Sequence, residues 1–250
     1  YTGSYPVSLA MVDIVAVEVF LTAAPFSLFG PAHVLSLLMI GILAVATYRA
    51  GSVANQAGKV PQIAQVAAVI VFGLEMFKMW LAVSVYDQPW TESLPLHLCR
   101  LSTLLCAAML AFGSYRLFEV AYFWVMGGSV AALLTPDLAH GFPHLLYFTF
   151  FIGHGLVVFS VLFAVTGYGF RPRLQSIAFA AAVTAAYMLV MVIVNGLLDA
   201  NYLYLRAKPP GPSIYDYLGP WPWYVLSAWV LGIVVCLVCY LPFAVGRTAR

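Results

Sequence analysis

Long apolar runs alternate with short segments rich in glycine, proline and polar residues along most of this chain. Crossing a membrane takes about 20 mainly apolar residues, and seven runs approach or exceed that length. They are 31–49, 62–86, 94–112, 115–135, 144–166, 174–199 and 221–243. Turn-forming segments such as AGSVANQAGKVP, YDQPWTES and TPDLAHGFP separate them. The pattern therefore predicts an all-α membrane protein in which residues 31–245 form a seven-helix transmembrane domain.

The composition also points to a bilayer. Hydrophobic residues make up 64% of the 250 residues and charged residues only 8%, whereas soluble domains carry about a quarter charged residues. So few polar side chains cannot cover a soluble surface, and we expect membrane lipids as partners. The formal net charge of +2 gives no indication of nucleic-acid binding, and the sequence indicates no particular protein partner.

Residues 1–30 differ from the spans that follow. They carry Asp13 and Glu18 and are interrupted by Pro25, and they lack the basic start of a secretory signal peptide. An apolar but acidic and broken segment is typical of a helix lying at the membrane surface. We predict a short interfacial N-terminal segment, with a first membrane span as the alternative.

Basic residues predict the orientation, because short loops rich in lysine and arginine stay on the cytoplasmic side. The first, third and fifth loops and the tail contain Arg49, Lys59, Arg116, Arg171, Arg173, Arg247 and Arg250. The alternate loops contain Asp87, Glu92, Asp137, Asp199 and Asp216, with Arg206 and Lys208 as the only basic exceptions. The sequence predicts an N-out, C-in protein.

Several titratable residues lie within the predicted spans, where charge is costly and usually functional. The predicted orientation puts most of them in the outer half of the membrane, so that they could line one outer cavity. The candidate ligand-contacting residues are Glu75, Lys78, His97, Arg100, Asp137, Asn201 and Tyr202. Structural pairing is the alternative, because Glu75 and Lys78 are three residues apart on one helix face. Glu119 falls in the inner half and is predicted to pair with Arg116.

Cys99 and His154 are the candidate catalytic pair. A cysteine acts as a nucleophile through its thiolate, and a nearby histidine can serve as the base. His97 is close in sequence, but two residues along a regular helix differ by about 200°, so a histidine from another helix is better placed. His154 lies between Gly153 and Gly155, which allow another backbone to approach. Plain packing remains the alternative for both residues.

Cofactor and metal sites are weakly indicated. A retinal protein needs a Schiff-base lysine, and residues 221–243 contain none. Zinc or copper binding by Cys99, His97 and His154 is the rival to catalysis, but the angular separation of His97 and Cys99 argues against it. Cys236 and Cys239 lie in an apolar run without a second CxxC and are interpreted as packing residues. The sequence predicts neither a cofactor nor a metal.

Several sequence motifs, in their order along the chain, resemble those of the YwaF-like bacterial integral membrane proteins. They are FSLFGPAH (26–33), LPLHLCRLS (94–102), EVAYFWVMGGSVAALLTPDL (119–138), FPHLLYFTFFIGHG (142–155), NYLYLRAKPPGPSIYDYLGPWPWY (201–224) and LPF (241–243). The resemblance extends from about residue 26 to 245. It implies a multi-pass protein of the bacterial plasma membrane.

The bacterial proteins are similar to a eukaryotic transmembrane acyltransferase of ether phospholipid metabolism. They are more distantly similar to the androgen-induced family of intramembrane lipid hydrolases. The resemblance therefore implies lipid acyl transfer or ester hydrolysis inside the bilayer, with Cys99 as nucleophile and His154 as its partner. The alternatives are a lipid-binding or small-ligand transport protein, and a structural subunit of a membrane complex.

Overall fold

A computed structural model describes residues 24–209 and 213–248 of this chain, and within these ranges the protein is all-helical. The long helices are α1 (Pro31–Gln56), α2 (Val60–Ser84), α3 (Leu98–Phe112), α4 (Tyr115–Leu134), α5 (Leu145–Thr166), α6 (Leu174–Leu198) and α7 (Trp223–Thr248). No strand occurs in the described ranges, and Pro25 forms an isolated bridge with His140. Most of the predicted interfacial segment 1–30 lies outside the described residues.

Six helices of the described chain are long and apolar enough to cross a membrane, namely α1, α2, α4, α5, α6 and α7. The protein is therefore a multi-pass membrane protein. The third predicted span is shorter than expected, since α3 has 15 residues and measures about 22 Å against a hydrocarbon core of about 30 Å. It begins at Leu98 rather than residue 94, because Leu94 precedes a proline and is extended, with ψ 146°.

The helices differ in how much of their surface packs inside the bundle. In α4 and α5 more than half of the residues in the most apolar stretch are buried, whereas in α1, α2, α6 and α7 fewer than a quarter are. The core consists mainly of side chains from α3, α4 and α5, including Cys106, Phe118 and Val161. The outer helices carry exposed Leu, Ile, Val and Phe side chains, as expected for surfaces that face lipid.

The segments that connect the helices contact one another at the two ends of the bundle. At one end the Tyr86 ring stacks on that of His144, and the Tyr202 hydroxyl donates to the carbonyl oxygen of Thr91. We call this the cavity end, formed by residues 85–97, 135–144 and 199–209. At the opposite end, the Tyr115 hydroxyl donates to the Arg171 carbonyl oxygen at 2.8 Å. Successive long helices therefore run in alternating directions, as the sequence predicts.

Glu119 has the partner that the sequence predicts and a second one. The Arg116 guanidinium donates to Glu119 at 3.0 Å, and the Ser176 hydroxyl donates to the other carboxylate oxygen at 2.6 Å. Glu119 is 4% exposed, so both bonds compensate for the removal of its charge from water. The second bond ties α4 to α6 and depends on tertiary structure.

Helices α1 and α5 approach each other closely at Gly51. A Cβ atom built on Gly51 would lie 2.1 Å from Thr166 Oγ1, 3.0 Å from the Gly167 backbone nitrogen and 3.1 Å from the Phe163 carbonyl oxygen. Two of these three neighbours are backbone atoms, which a side-chain rotation cannot move away. The contact therefore requires glycine at this position of α1.

We expect the Gly51→Ala variant to lose about 1–3 kcal/mol of stability, because the added methyl group forces α1 away from α5. Thermal or denaturant unfolding of the purified protein in detergent measures the loss. Gly41→Ala on the same helix is the matched control, since a Cβ atom there has no neighbour within 4 Å. Equal unfolding midpoints for the two variants would contradict the close approach.

Candidate functional site

A fully buried carboxylate joins α2 to α3 just inside the cavity end. Glu75 on α2 has 0% exposure. Lys78 Nζ donates to its Oε2 atom at 2.8 Å, and Arg100 Nε donates to its Oε1 atom at 2.6 Å. We call these three residues the ionic cluster. The Glu75–Lys78 pair follows from helix spacing, but the bond to Arg100 bridges 25 positions and could not be predicted from that spacing.

Arg100 is only partly satisfied by these contacts. Its Nη1 atom donates to the Ser93 carbonyl oxygen at 2.6 Å, so the guanidinium also fastens the segment before α3. Its Nη2 atom is buried and has no hydrogen-bond partner among the described residues. With two cations and one carboxylate in their ordinary charge states, the ionic cluster has a net charge of +1.

His154 on α5 lies beside the ionic cluster. Its Nδ1 atom is 2.9 Å from the Phe150 carbonyl oxygen. A carbonyl oxygen only accepts, so Nδ1 carries the proton and Nε2 of the neutral ring keeps a free lone pair. His154 also interacts electrostatically with Lys78 and Glu75. The neutral form of His154 is therefore held in the tautomer that a general base needs.

Side chains of α1 and α2 pack against the glycines on either side of His154. A Cβ atom on Gly153 would lie 3.5 Å from Lys78 Nζ and 3.9 Å from Leu74 Cδ2, and one on Gly155 would lie 3.5 Å from Ile40. The nearest neighbours of both glycines are side-chain atoms, so the expected backbone approach is wrong here. These distances are ordinary van der Waals contacts, and they show that the Lys78 ammonium group lies against α5 next to His154.

Cys99 is in the first turn of α3, half-buried, and its thiol is free. It interacts electrostatically with Lys78, and also with the hydroxyls of Tyr204 and Tyr215. The described hydrogen bonds do not include one between Cys99 and His154. The structure thus brings both candidate catalytic residues to Lys78 rather than directly to each other.

A cavity of about 400 Å³ opens at the cavity end. It is lined by Asp87, Gln88, Pro89, Glu92, His97, Ala200, Asn201, Tyr202 and Tyr204. The His97 ring contacts those of Tyr202 and Tyr204, with centroid distances of 5.0 and 5.5 Å. Tyr204 also interacts with Cys99. This residue therefore connects the cavity to the thiol.

His97 does not belong to the regular helix assumed in the sequence analysis. It caps α3 with extended backbone angles, φ −68° and ψ 145°, so the 200° separation from Cys99 does not apply to it. Burial lowers the pKa of His97, and the nearby Arg100 guanidinium lowers it further. His97 is therefore neutral at pH 7 and contributes a polar wall rather than a charge.

Two predicted ligand-contacting residues use their polar groups to build the loop after α6. Tyr202 is 1% exposed, and the buried Asn195 side chain holds its backbone through bonds of 2.7 and 2.9 Å. The Asn201 side chain bonds the backbone of Arg206 and Ala207. These residues shape the cavity, and their side-chain polar groups are already engaged.

Asp137, one of the ligand-contacting residues predicted from the sequence, lies in the segment after α4 and interacts with a residue that lines the cavity. Its side chain is exposed and interacts electrostatically with Tyr204. Burial raises the pKa of Tyr204, and the Asp137 carboxylate raises it further. Tyr204 therefore keeps its proton at neutral pH and can donate a hydrogen bond.

The sequence analysis missed Tyr204 and Tyr215 as site residues. Both lie in the quoted stretch 201–224, and their rings contact each other with centroids 5.8 Å apart. Their signal was the repeated tyrosine in a loop between apolar helices, which is unusual because each buried hydroxyl needs a partner.

The metal alternative lacks a set of ligands in the described part of the chain. No group of three or more histidine, cysteine, aspartate or glutamate side chains there could hold a metal ion. His97, Cys99 and His154, the ligands considered from the sequence, are therefore not arranged as a coordination site.

These features define a class of protein, namely a multi-pass α-helical membrane protein with a charged cluster buried near a polar cavity. The sequence matches the TMEM164 family over residues 28–240, and the chain belongs to this family. The matched range contains the ionic cluster, the cavity, Cys99 and His154. The start of the FSLFGPAH stretch and the final LPF stretch fall outside it.

The chain is also similar to a protein of Treponema pallidum (strain Nichols) that is described as "Uncharacterized protein". The two are 29% identical over 192 residues, covering 74% of this chain and 76% of that protein. No solved structure matches the chain. The comparisons thus identify the family and name no activity.

We expect Glu75→Gln to lower the free energy of unfolding by about 3 kcal/mol, because it leaves two half-buried cations without a counter-charge. Denaturant unfolding at constant ionic strength measures the change. Glu92→Gln at the cavity end is the matched control, since Glu92 is exposed and takes part in none of the described ion pairs. Similar losses in both variants would show that the ionic cluster does not stabilise the bundle.

Proposed function

We propose that the protein catalyses acyl transfer from a membrane lipid, or hydrolysis of a lipid ester, with Cys99 as nucleophile. The observation that carries the proposal is that the ionic cluster lies next to both candidates: Lys78 Nζ packs against α5 beside His154, and Cys99 directly precedes Arg100. The resemblance to lipid acyltransferases and lipid hydrolases supports the same reaction class.

In the proposed reaction, His154 Nε2 accepts the thiol proton and Cys99 Sγ attacks the ester carbonyl carbon. The Phe150 carbonyl oxygen holds His154 in the required tautomer. Arg100 and Lys78 stabilise the oxyanion of the tetrahedral intermediate. His154 returns the proton to the leaving alcohol, and an acyl thioester remains on Cys99 until an acceptor lipid or water removes the acyl group.

The reaction requires Cys99 and His154 to come within hydrogen-bond reach when the lipid binds. Hydrogen bonds between catalytic groups are often long in a free enzyme and tighten only in the complex with substrate. A shift of the short segment before α3 is enough to change the position of Cys99, because this residue lies in the first turn. The Ser93–Arg100 contact limits how far that segment can move.

We also propose that α3 is a seventh span and that the cavity end faces outward in a bacterial plasma membrane. Residues at the start of α3 contact the cavity end, and near its end the Leu110 carbonyl oxygen accepts a bond of 2.8 Å from Tyr168. Lys59, Arg116, Arg171 and Arg173 lie at or next to the opposite end, which favours a cytoplasmic location for that end.

Non-catalytic lipid binding is the second candidate function. It is favoured by the lack of a described hydrogen bond between Cys99 and His154, and by the use of His154 Nδ1 within its own helix. In this case the ionic cluster and the cavity hold a lipid without breaking a bond. The two functions differ in whether Cys99 becomes acylated.

We expect the wild-type protein incubated with phospholipid to gain one acyl mass that hydroxylamine removes, because a thioester on Cys99 is the proposed intermediate. Cys99→Ser should show no such adduct, and His154→Ala should lower lipid turnover about 10²–10⁴-fold through loss of the general base. Intact-protein mass spectrometry measures the adduct, and lipid mass spectrometry measures turnover.

Cys106→Ser is the matched control for the nucleophile. Cys106 is on the same helix, fully buried, with its thiol 4.0 Å from the Val157 carbonyl oxygen, and it should leave the adduct unchanged. Normal lipid turnover in a folded Cys99→Ser variant would refute the cysteine mechanism and favour the lipid-binding function.

We expect a cysteine placed at the cavity end to react with a membrane-impermeant maleimide on intact cells, whereas one at the opposite end reacts only after permeabilisation. Gln88→Cys and Ala57→Cys suit this comparison, because both residues are exposed. All four native cysteines are first replaced by serine or alanine. The reverse labelling pattern would overturn the proposed orientation.

A further inference from the structure

The ionic cluster has one more positive charge than its own carboxylate can balance. Lys78 and Arg100 both bond to Glu75, and their side chains are 20% and 18% exposed. The described residues contain four ion pairs, and neither cation takes part in one with a carboxylate other than Glu75. A largely desolvated positive charge is unfavourable without a counter-ion, so the surplus calls for an anion.

Donor groups are available beside this surplus charge. Arg100 directs Nε to Glu75 and Nη1 to Ser93, while the buried Nη2 atom has no partner in the described structure. Lys78 Nζ has three protons and one described hydrogen bond, to Glu75. Two cationic side chains from different helices can therefore donate to one additional acceptor.

We propose that Arg100 and Lys78 form a binding subsite for the oxyanion of a membrane amphiphile, either the phosphate of a phospholipid or the carboxylate of a fatty acid. Glu75 is the positioning residue of this subsite, since its two oxygens orient both cations. The inference rests on the proposed function and extends it, because it states which chemical group of the lipid the same site binds. Cys99 interacts with Lys78 and directly precedes Arg100, so a phospholipid anchored by its phosphate has its ester region near the thiol.

The charges at the cavity favour an amphiphile over a free anion. Asp87 and Glu92 line the cavity, both are exposed, and neither belongs to a described ion pair. Two carboxylates at the aqueous opening repel an inorganic anion that arrives from water. A lipid can instead reach Arg100 and Lys78 from the bilayer, with its charged group directed toward the outer end of the bundle.

The test compares paired soluble amphiphiles that differ in their charged group. Purified protein in detergent is titrated with dihexanoyl phosphatidic acid or dihexanoylglycerol, and with decanoate or decanol, at constant ionic strength. A ligand that binds the folded state raises the unfolding temperature. We expect each anionic member to raise it more than its uncharged partner, and inorganic phosphate at the same concentration to leave it unchanged.

The anion-dependent part of the shift should require both cations. Lys78→Met and Arg100→Gln should weaken the apparent affinity for phosphatidic acid about tenfold or more, since each removes a charge-assisted hydrogen bond. Lys78→Arg should retain most of it. Arg206→Gln is the matched control, because Arg206 also lies at the cavity end but pairs with the exposed Asp199, and it should bind like wild type.

Each alternative outcome has a defined meaning. Equal shifts from charged and uncharged partners in the wild-type protein would overturn the subsite even if the variants fail to fold. An equal shift from inorganic phosphate would overturn the assignment to an amphiphile. Cys99→Ser should keep the anion preference, so loss of acyl transfer with retained binding would refute the reaction alone. Loss of the preference in Cys99→Ser would show that the surplus charge serves the thiolate instead.

Discussion

The burial of the Glu75 carboxylate between two cations is the constraint on which the rest of the site depends. A single charged side chain at the centre of a membrane span costs about 2.5–3.5 kcal/mol on insertion scales, so Glu75 is stable at 0% exposure only with partners close by. Lys78 comes from the same helix and Arg100 from the next, which fixes how α2 and α3 face each other. The Arg100 bond to Ser93 also restrains the segment before α3. This segment carries His97, two residues before Cys99.

A second set of hydrogen bonds holds the loop after α6 at the cavity end. Asn195, with 0% exposure, holds the backbone of Tyr202, and the Tyr202 hydroxyl reaches across to Thr91. These bonds keep Tyr204 beside His97 and Cys99, although Leu203 and Tyr204 adopt the left-handed backbone conformation, with φ 59° and 54°.

The family and the geometry contribute different parts of the functional argument. Membership of the TMEM164 family follows from a match over residues 28–240, which spans the whole site. The proposed chemistry rests on the placement of Cys99, His154 and Lys78 on three helices, and on the tautomer of His154 that the Phe150 carbonyl oxygen favours. The cavity and the positive charge are compatible with lipid binding and with lipid transformation. The two functions differ in whether the Cys99 thiol becomes acylated.

The sequence by itself determined the all-α class, the approximate helix positions and the local pairs Glu75–Lys78 and Arg116–Glu119, because hydropathy and helix spacing act over short distances. The sequence overestimated the length of α3, because the extended residues before Leu98 interrupt the helix without changing the apolar composition of the run. Only the tertiary structure decided that Arg100 bonds Glu75, that Lys78 lies beside Gly153 of α5, and that Tyr204 both lines the cavity and interacts with Cys99. These contacts join residues from different helices and loops, and their register depends on how whole helices pack, which no local pattern encodes.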